Sequence, residues 1–388
     1  MKRVVLRAPV LTQSGYGVHS RQVARWLLQQ PNIDVRFHAL HWGMTPWLLN
    51  GDSHNGLIGE IMKRTVDEKY RADVSFQLQL PNEWNTSIAQ YNVGMTAGVE
   101  TDTCNKSWIN NVNSVQHLVV PSTHTLKTFL NSGHVTTRTS VIPESYVDDI
   151  KKPAHELPQL NSFSTDFNFL LFGQITGNNH LNDRKNTFNT IKWLCETFKD
   201  DKNVGIVIKT NAGRNTKLDR NNVTEMLRNL INEVRRGSKY PLIHLLHGDM
   251  NDSEVAALYK HPQIKALVAI SRGEGYGLPI LEAAASGLPV IATNWSGHID
   301  FLSKGRFIQV DYTLDEIHKS RVDDAIFIKG SKWANPIEDD FKRKVAKFRS
   351  SSSIPREWAN DLSSKLLSEY SFESISRQYD EVLGYVLK

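Results

Sequence analysis

An α/β fold with parallel sheets is predicted for this chain by three observations. Short apolar runs rich in β-branched residues recur along it, each ending in a glycine-bearing or polar turn that leads into an amphipathic stretch, so strands and helices alternate. The clearest such unit spans residues 264–292, where strand, glycine loop, helix and strand follow one another. At 388 residues the chain exceeds one typical core, which makes two domains the expected arrangement.

Residues 4–8 are read as the first strand. Ser14-Gly15-Tyr16-Gly17 turns the chain into a helix over 18–28, whose apolar face is Val23, Trp26 and Leu27. Gly15 and Gly17 permit close backbone approach, and Ser14, His19 and Arg21 have the chemistry to meet a phosphate or a sugar, although any first turn of an α/β domain has this look. Residues 33–39, 73–78, 91–95 and 117–121 continue the strand pattern, and Ser122 caps a helix over 123–130. Trp42, Trp47, Trp84 and Trp108 fall in stretches read as loop or helix start; they serve either as core and lid packing or as platforms for a sugar or an unstacked base. Residues 95–102 lie at a strand end, where α/β sheets place ligands, so Glu100 and Asp102 are candidates for acceptor contact. The other reading makes them favourable acids at a helix N-terminus.

From 151 the sequence turns polar, with Pro153 and Pro158, and a linker is placed over 151–166. The strand pattern restarts at 167–172. A polar loop then leads through Asp183-Arg184-Lys185-Asn186 to an amphipathic helix over 187–198. Lys209 closes a strand over 204–208, Arg214 and Lys217 follow as weaker candidates, and 222–234 is helical. A strand over 243–246 leads into His247-Gly248-Asp249-Met250 and a helix that starts near Asp252. The run Lys342-Arg343-Lys344, with Lys347 and Arg349, lies on a helix and is most simply a solvated face. Residues 372–387 form an amphipathic terminal helix.

The central unit carries the chemistry. After the strand over 264–270 and its glycine loop, Leu278 begins a helix with Pro279 near the first position and Gly287 as the stop. A helix N-terminus behind a glycine loop presents unpaired N–H groups and a positive dipole, which suits a diphosphate. Glu274 lies in the loop and Glu282 in the helix, with seven residues between them. Carboxylates accept hydrogen bonds from sugar hydroxyls and repel phosphate, so the pattern calls for a ligand with both parts.

Glu274 to Glu282, followed by Ala283-Ala284-Ala285-Ser286-Gly287-Leu288-Pro289, resembles the E-x7-E signature of retaining family 4 glycosyltransferases of GT-B fold. The resemblance covers most of the second domain and the first only thinly. It implies two Rossmann-like domains facing a deep cleft: an acceptor-side domain over 1–150, a nucleotide-sugar-binding domain over 167–365, and a helix within 366–388 that crosses back to the first. It gives Glu274 a place beside the donor sugar and puts Lys185 on the diphosphate, and the positions of Lys209 at its strand end, of Arg184 beside Lys185 and of Glu100 on the acceptor side add these three to the catalytic set. Donor contacts fall to Gly15, Gly17, His247, Met250, Gly275, Tyr276, Gly277, Leu278 and Glu282, the last on the ribose. His247 equally fits a satisfied strand-end histidine. The family commonly has Arg directly after Gly173, where Gln174 stands here. Glutamine cannot neutralise phosphate, so that charge comes from Arg184 or the site is weaker there.

The reaction implied moves a sugar from a nucleoside diphosphate sugar, with UDP as the expected carrier, to an acceptor hydroxyl with the anomeric configuration retained. No D-x-D triplet occurs, so cationic side chains are expected in place of a metal, and no cofactor is expected. Residues 94–102 and 120–122 are similar to glycosyltransferases of large phages and algal viruses. The acceptor expected is therefore a hydroxymethylated base in phage DNA, flipped toward the sugar. The alternatives are a cell-surface or soluble glycan as acceptor, or a nucleotide-sugar or DNA binding protein without catalysis.

Bulk composition fits this picture. Hydrophobic residues make up 40% of the chain and the net charge is +5, enough to permit an anionic partner without the extreme of a dedicated nucleic-acid arm. Only Cys104 and Cys195 occur, without C-x-x-C spacing, which speaks against a disulfide framework or a zinc site. No apolar run approaches the ~20 residues of a membrane span. A cytoplasmic location is expected, that of the host if the protein is viral.

Overall fold

The recurring apolar runs become two six-stranded parallel sheets, in a computed structural model that describes residues 1–154, 156–160, 163–210, 213, 215–235 and 237–388. The first part of the chain contributes β1 (Lys2–Ala8), α1 (Gly15–Leu28), β2 (Ile33–Ala39), α2 (Leu57–Lys63), β3 (Ala72–Leu78), β4 (Ala89–Met95), α3 (Ser107–Ser114), β5 (His117–Val120), α4 (Thr123–Ser132) and β6 (Arg138–Val141). There follow β7 (Phe167–Phe172), α5 (Thr187–Thr197), β8 (Val204–Thr210), α6 (Lys217–Arg235), β9 (Leu242–His247), α7 (Asp252–Tyr259), β10 (Ile264–Ala269), α8 (Leu278–Ala285), β11 (Val290–Thr293), α9 (Ile299–Leu302) and β12 (Ile308–Val310). The antiparallel pair β13 (Tyr312–Glu316) and β14 (Lys332–Pro336), then α10 (Glu338–Ser350), α11 (Ser353–Glu369) and α12 (Phe372–Leu387), complete the chain. One compact unit comprises Met1–Ser145, Asp324–Ile328 and Phe372–Lys388; the other comprises Tyr146–Asp323 and Lys329–Ser371.

In the first unit the strand order is β2-β1-β3-β4-β5-β6. Val4, Leu6, Val74, Phe76 and Val93 share one face of this sheet and are all buried, while the other face buries Val5 beside the hydrogen-bonded Ser75, Gln77 and Asn92. The terminal helix α12 returns to this unit, as the sequence implied. Its Tyr379 ring stacks on Trp26 of α1 at 4.9 Å, and Asp380 accepts a 2.8 Å hydrogen bond from the Trp26 indole.

In the second unit the order is β12-β11-β10-β7-β8-β9. Strand order reverses between β7 and β10, which are neighbours although 91 residues separate the end of one from the start of the other. Ligands of open parallel sheets bind at the carboxyl ends of the strands at such a reversal. Phe169, Ile206, Val268, Ile291 and Phe341 form the centre of the core beneath it.

Two local expectations change. The polar stretch read as a linker is partly packed, because Leu157, Leu160 and Phe163 are buried and Lys260 donates to the carbonyls of Ile150 and Lys152, each at 2.6 Å. Of that stretch His155, Asn161 and Ser162 lie outside the described residues. Helix α6 starts at Lys217, five residues before the sequence pattern places it. Thr216 and Asp219 explain this: each side chain accepts from the other's backbone N–H, at 3.2 and 2.9 Å, and this reciprocal cap starts the helix before its apolar periodicity does. Among the described residues no helix is long and apolar enough to cross a membrane.

Candidate active site

A pocket opens at the carboxyl ends of β7 and β10, lined among others by Gly173, Gln174, Lys185, Ser271, Glu274 and Gly277. Glu274 is its chemical centre. Lys185 donates to both carboxylate oxygens, at 2.7 and 2.8 Å, and Arg184 reaches the second oxygen at 3.3 Å and the Gly273 carbonyl at 2.7 Å. Burial pushes the Glu274 carboxyl up, but Lys185 and Arg184 outweigh it and hold the group at about 2. Gln174 is exposed on the pocket wall. Arg184, the candidate for the charge that Gln174 lacks, is directed at Glu274.

Three residues that the motif did not single out build this arrangement. Asp183, fully buried, accepts hydrogen bonds from the N–H groups of Thr176, Lys185 and Thr187 and from the Thr176 hydroxyl. Arg272 donates to the carbonyls of His180, Leu181 and Asp183. Ser296 accepts from the Glu274 N–H at 2.9 Å. Asp183 stands three residues ahead of Asn186, the N-cap of α5, outside the position where a cap is read. Arg272 and Ser296 carried no mark either.

Gly277 explains the turn. Its φ of 97° is a left-handed conformation, and a Cβ there would stand 3.2 Å from the His298 Cβ. From this residue α8 runs to Ala285 and stops before Gly287, as read from the sequence. Leu278 is buried at its start, and the buried Tyr276 ring packs on Phe301 at 5.4 Å between centroids. Glu282 sits one turn into α8, apart from Lys185 and Arg184. Burial, with repulsion from Asp252, pushes its carboxyl up to about 8, against the lowering effect of the Tyr259 hydroxyl 3.4 Å away.

Lys209 lies inside β8 rather than after it, because the strand extends to Thr210. Its ammonium donates to the Gly248 carbonyl at 2.6 Å, which joins it to the loop bearing His247 and Met250. Burial lowers its pKa to about 8, with Asp249 and Glu254 opposing. His247 and Met250 are half-buried. Gly275 lies between Glu274 and Tyr276 in the same loop. Lys217 opens α6, and Arg214 lies outside the described residues.

The remaining candidates, Gly15, Gly17 and Glu100, belong to the first unit. Of the two readings of the first turn, the structure shows the contacts of the structural one. Ser14 caps α1 by accepting from Gly17 N–H at 3.0 Å, Arg21 is buried and donates to the carbonyls of Val10 and Thr12, and buried His19 meets the Tyr379 hydroxyl at 3.1 Å. All three are used to hold the turn and the helix. Gly17 is required by close approach, since a Cβ would lie 2.1 Å from the Thr12 carbonyl oxygen, whereas Gly15 has open space. Tyr16 bridges this turn to the strand end beyond β4, through Thr96 at 3.0 Å and the Ala97 N–H at 3.0 Å, and the half-buried Glu100 follows in that loop. Ser122 caps α4 as expected. Of the four tryptophans, Trp84 and Trp108 are core, while Trp42 stacks on Tyr16 at 4.0 Å and Trp47 lies against His41. On α10, Lys342, Arg343, Lys344 and Arg349 pair with acidic side chains, which accounts for most of that basic run.

Residues 241–319 match the model of the family described as Glycosyl transferases group 1. No curated protein matches the sequence. Among solved structures, sucrose-phosphate synthase from Thermosynechococcus elongatus superimposes with a TM-score of 0.64 at 13% identity, over 100% of this chain and 99% of that one. Anabaena HepE in complex with UDP and glucose gives 0.62 at 12% identity, over 99% and 100%. The E. coli structure described as trehalose-6-phosphate bound with UDP-2-fluoro glucose gives 0.64 at 8%, over 98% of each chain. Identities this low bear on the fold alone. The architecture is that of the GT-B fold, and with the match over the segment that holds Glu274 and Glu282 it supports a GT-B glycosyltransferase.

Proposed function

We propose that the protein transfers a glycosyl group from a nucleoside diphosphate sugar, with UDP as the carrier, to an acceptor hydroxyl with retention of anomeric configuration. One observation carries the reading: a buried carboxylate, Glu274, held by the consecutive cations Lys185 and Arg184 in a pocket where strand order reverses. As the glycosidic bond breaks, negative charge grows on the departing diphosphate. Lys185, Arg184, Lys209 and the first N–H groups of α8 offer it positive charge. Sugar and ribose hydroxyls need partners, and Glu274 and Glu282 offer carboxyl groups. Glu282, with its raised pKa, is mostly protonated at pH 7 and donates as well as accepts.

UDP as the carrier is supported by the two structural neighbours described with UDP and glucose and with UDP-2-fluoro glucose. Retention is supported by the resemblance of the E-x7-E segment. In the same-face substitution proposed, the acceptor oxygen bonds to the anomeric carbon as the diphosphate leaves, and the acceptor proton passes to a donor phosphate oxygen. No enzyme nucleophile is needed. Because three cations serve the phosphates, the reaction is proposed to need neither a divalent metal nor a cofactor.

Initial rates on a panel of nucleotide sugars, read as free nucleoside diphosphate with and without EDTA, test this. Release of UDP from a UDP-sugar at a rate unchanged by EDTA is expected. Loss of most of the rate on chelation would overturn metal independence, and no release from any donor would overturn transfer. The acceptor proposed is a hydroxymethylated base of phage DNA, on the similarity of residues 94–102 and 120–122 to viral glycosyltransferases and on the net charge of +5. Transfer to hydroxymethylated but not to unmodified duplex is expected; transfer to a glycan alone replaces this acceptor. The two buried, unbridged cysteines are in keeping with a cytoplasmic site of action, the host's if the protein is viral.

A further inference from the structure

The loop that carries Arg184 and Lys185 has no regular structure between β7 and α5, yet it delivers two adjacent side chains to one carboxylate. Arg184 and Lys185 are the central residues of a turn closed by the Asn186 N–H on the Asp183 carbonyl at 3.0 Å, so whatever holds that turn decides where both side chains point. Two buried side chains are placed to hold it. Asp183 Oδ1 accepts from the Lys185 N–H at 3.2 Å, the Thr176 N–H at 3.2 Å and the Thr176 hydroxyl at 2.8 Å, while Oδ2 accepts from the Thr187 N–H at 2.6 Å. The Lys185 N–H is also shared with the Thr176 hydroxyl at 3.1 Å. One carboxylate therefore fixes the backbone on both sides of Lys185. Next to it, Asn186 adopts a left-handed conformation, φ 55°, that turns the chain into α5.

Arg272 acts from the other loop. Its guanidinium, 7% exposed and 5.1 Å from the Trp333 ring, donates to His180 O at 2.8 Å, Leu181 O at 3.0 Å and Asp183 O at 3.4 Å. Its own N–H donates to the Arg184 carbonyl at 2.8 Å. Arg272 precedes Glu274 by two residues, so it ties the segment that bears the cations to the segment that bears the acid. A planar guanidinium holds its carbonyl partners in fixed, diverging directions, which a single ammonium on a flexible stem does not reproduce.

We propose that Asp183 and Arg272 are positioning residues whose joint task is to aim Lys185 and Arg184 at the Glu274 carboxylate and so set the charge geometry of the pocket. Neither is assigned contact with a substrate. The kinetic consequence rests on the glycosyl-transfer reading, whereas the geometric consequence does not.

The test uses the full chain carrying D183N or R272K. In D183N an amide takes the place of a carboxylate that accepts from N–H groups on both oxygens, so one acceptor is lost. Reductive methylation read by mass spectrometry follows the Lys185 amine, with exposed Lys192 as internal control. Loosening the Lys185 to Glu274 pair is expected to speed Lys185 labelling on the order of tenfold relative to Lys192. In the transfer assay kcat is expected to fall roughly 100-fold, with a much smaller change in donor KM. A merely structural role would lower the melting temperature and leave both the labelling ratio and the kcat of the folded enzyme alone. That outcome in either folded variant overturns the proposal, and R272K carries the test should D183N not fold. If the wild type transfers nothing, the functional reading fails while the labelling ratio still decides the positioning roles.

Discussion

Glu274 and Glu282 are each 6% exposed, and burial pushes both carboxyls upward. Their neighbours separate them. Lys185 and Arg184 bring Glu274 down to about 2, whereas Asp252 adds repulsion at Glu282, which stays at about 8. The consequences for stability have opposite signs. Glu274, depressed, contributes stability that is present above its unfolded value of about 4.3 and is lost as pH falls toward 2. Glu282, raised, contributes stability that is complete below about pH 4.3 and is lost as pH rises through 8. Between pH 5 and 8 the wild type is therefore expected to lose stability relative to E282Q, by about 1.4 kcal/mol for each unit of pH crossed. Denaturant melts of the two proteins across that range check this, and parallel curves would show that Glu282 titrates normally. The chemistry of these residues was legible in their spacing. Ser14 and Arg21 were ambiguous for a physical reason: a polar side chain at a turn is as well suited to the turn's own backbone as to a ligand, and both bond to that backbone here, while His19 meets the Tyr379 hydroxyl.

The element that was most readable is β10, its loop, α8 and β11. Period, proline, glycine stop and acids agree there, and the observed bounds follow the sequence within a residue or two. The turn depends on Gly277. G277A is expected to cost about 1–2 kcal/mol for the left-handed backbone alone, with further loss from the contacts with His298 and Ile280. Because the same residue opens α8 beside Glu274, UDP binding by titration calorimetry is expected to weaken together with the melting temperature. Unchanged binding in a destabilised variant would separate the turn from the ligand site. Elements missed by the sequence reading share a weakness of signal. β6 is four residues of mixed polarity, and α11 begins with a serine run and carries Pro355 in its first turn, where a missing N–H costs little.

At the scale of the molecule, each unit has its own core, and the terminal helix belongs to the first. Tyr379 is 2% exposed between Trp26 and His19, so Y379A is expected to destabilise that unit by roughly 3 kcal/mol or more. Glu274, Lys185, Lys209 and Glu282 all lie in the other unit, and UDP affinity of the folded variant is expected to stay within about twofold. Calorimetric unfolding with UDP titration measures both, and a large loss of affinity would place Tyr379 in the ligand site's support. By itself the sequence determined the strand and helix segments, the glycine turn, and the kinds of side chain available for a sugar diphosphate. These are encoded locally, in hydrophobic period and turn chemistry. Only the tertiary structure decided that Lys185 and Arg184 meet a carboxylate 89 and 90 residues away, that Arg272 binds the two loops together, and that two like acids titrate far apart. Those outcomes depend on burial and on charges brought close by folding, which no window of neighbouring residues contains.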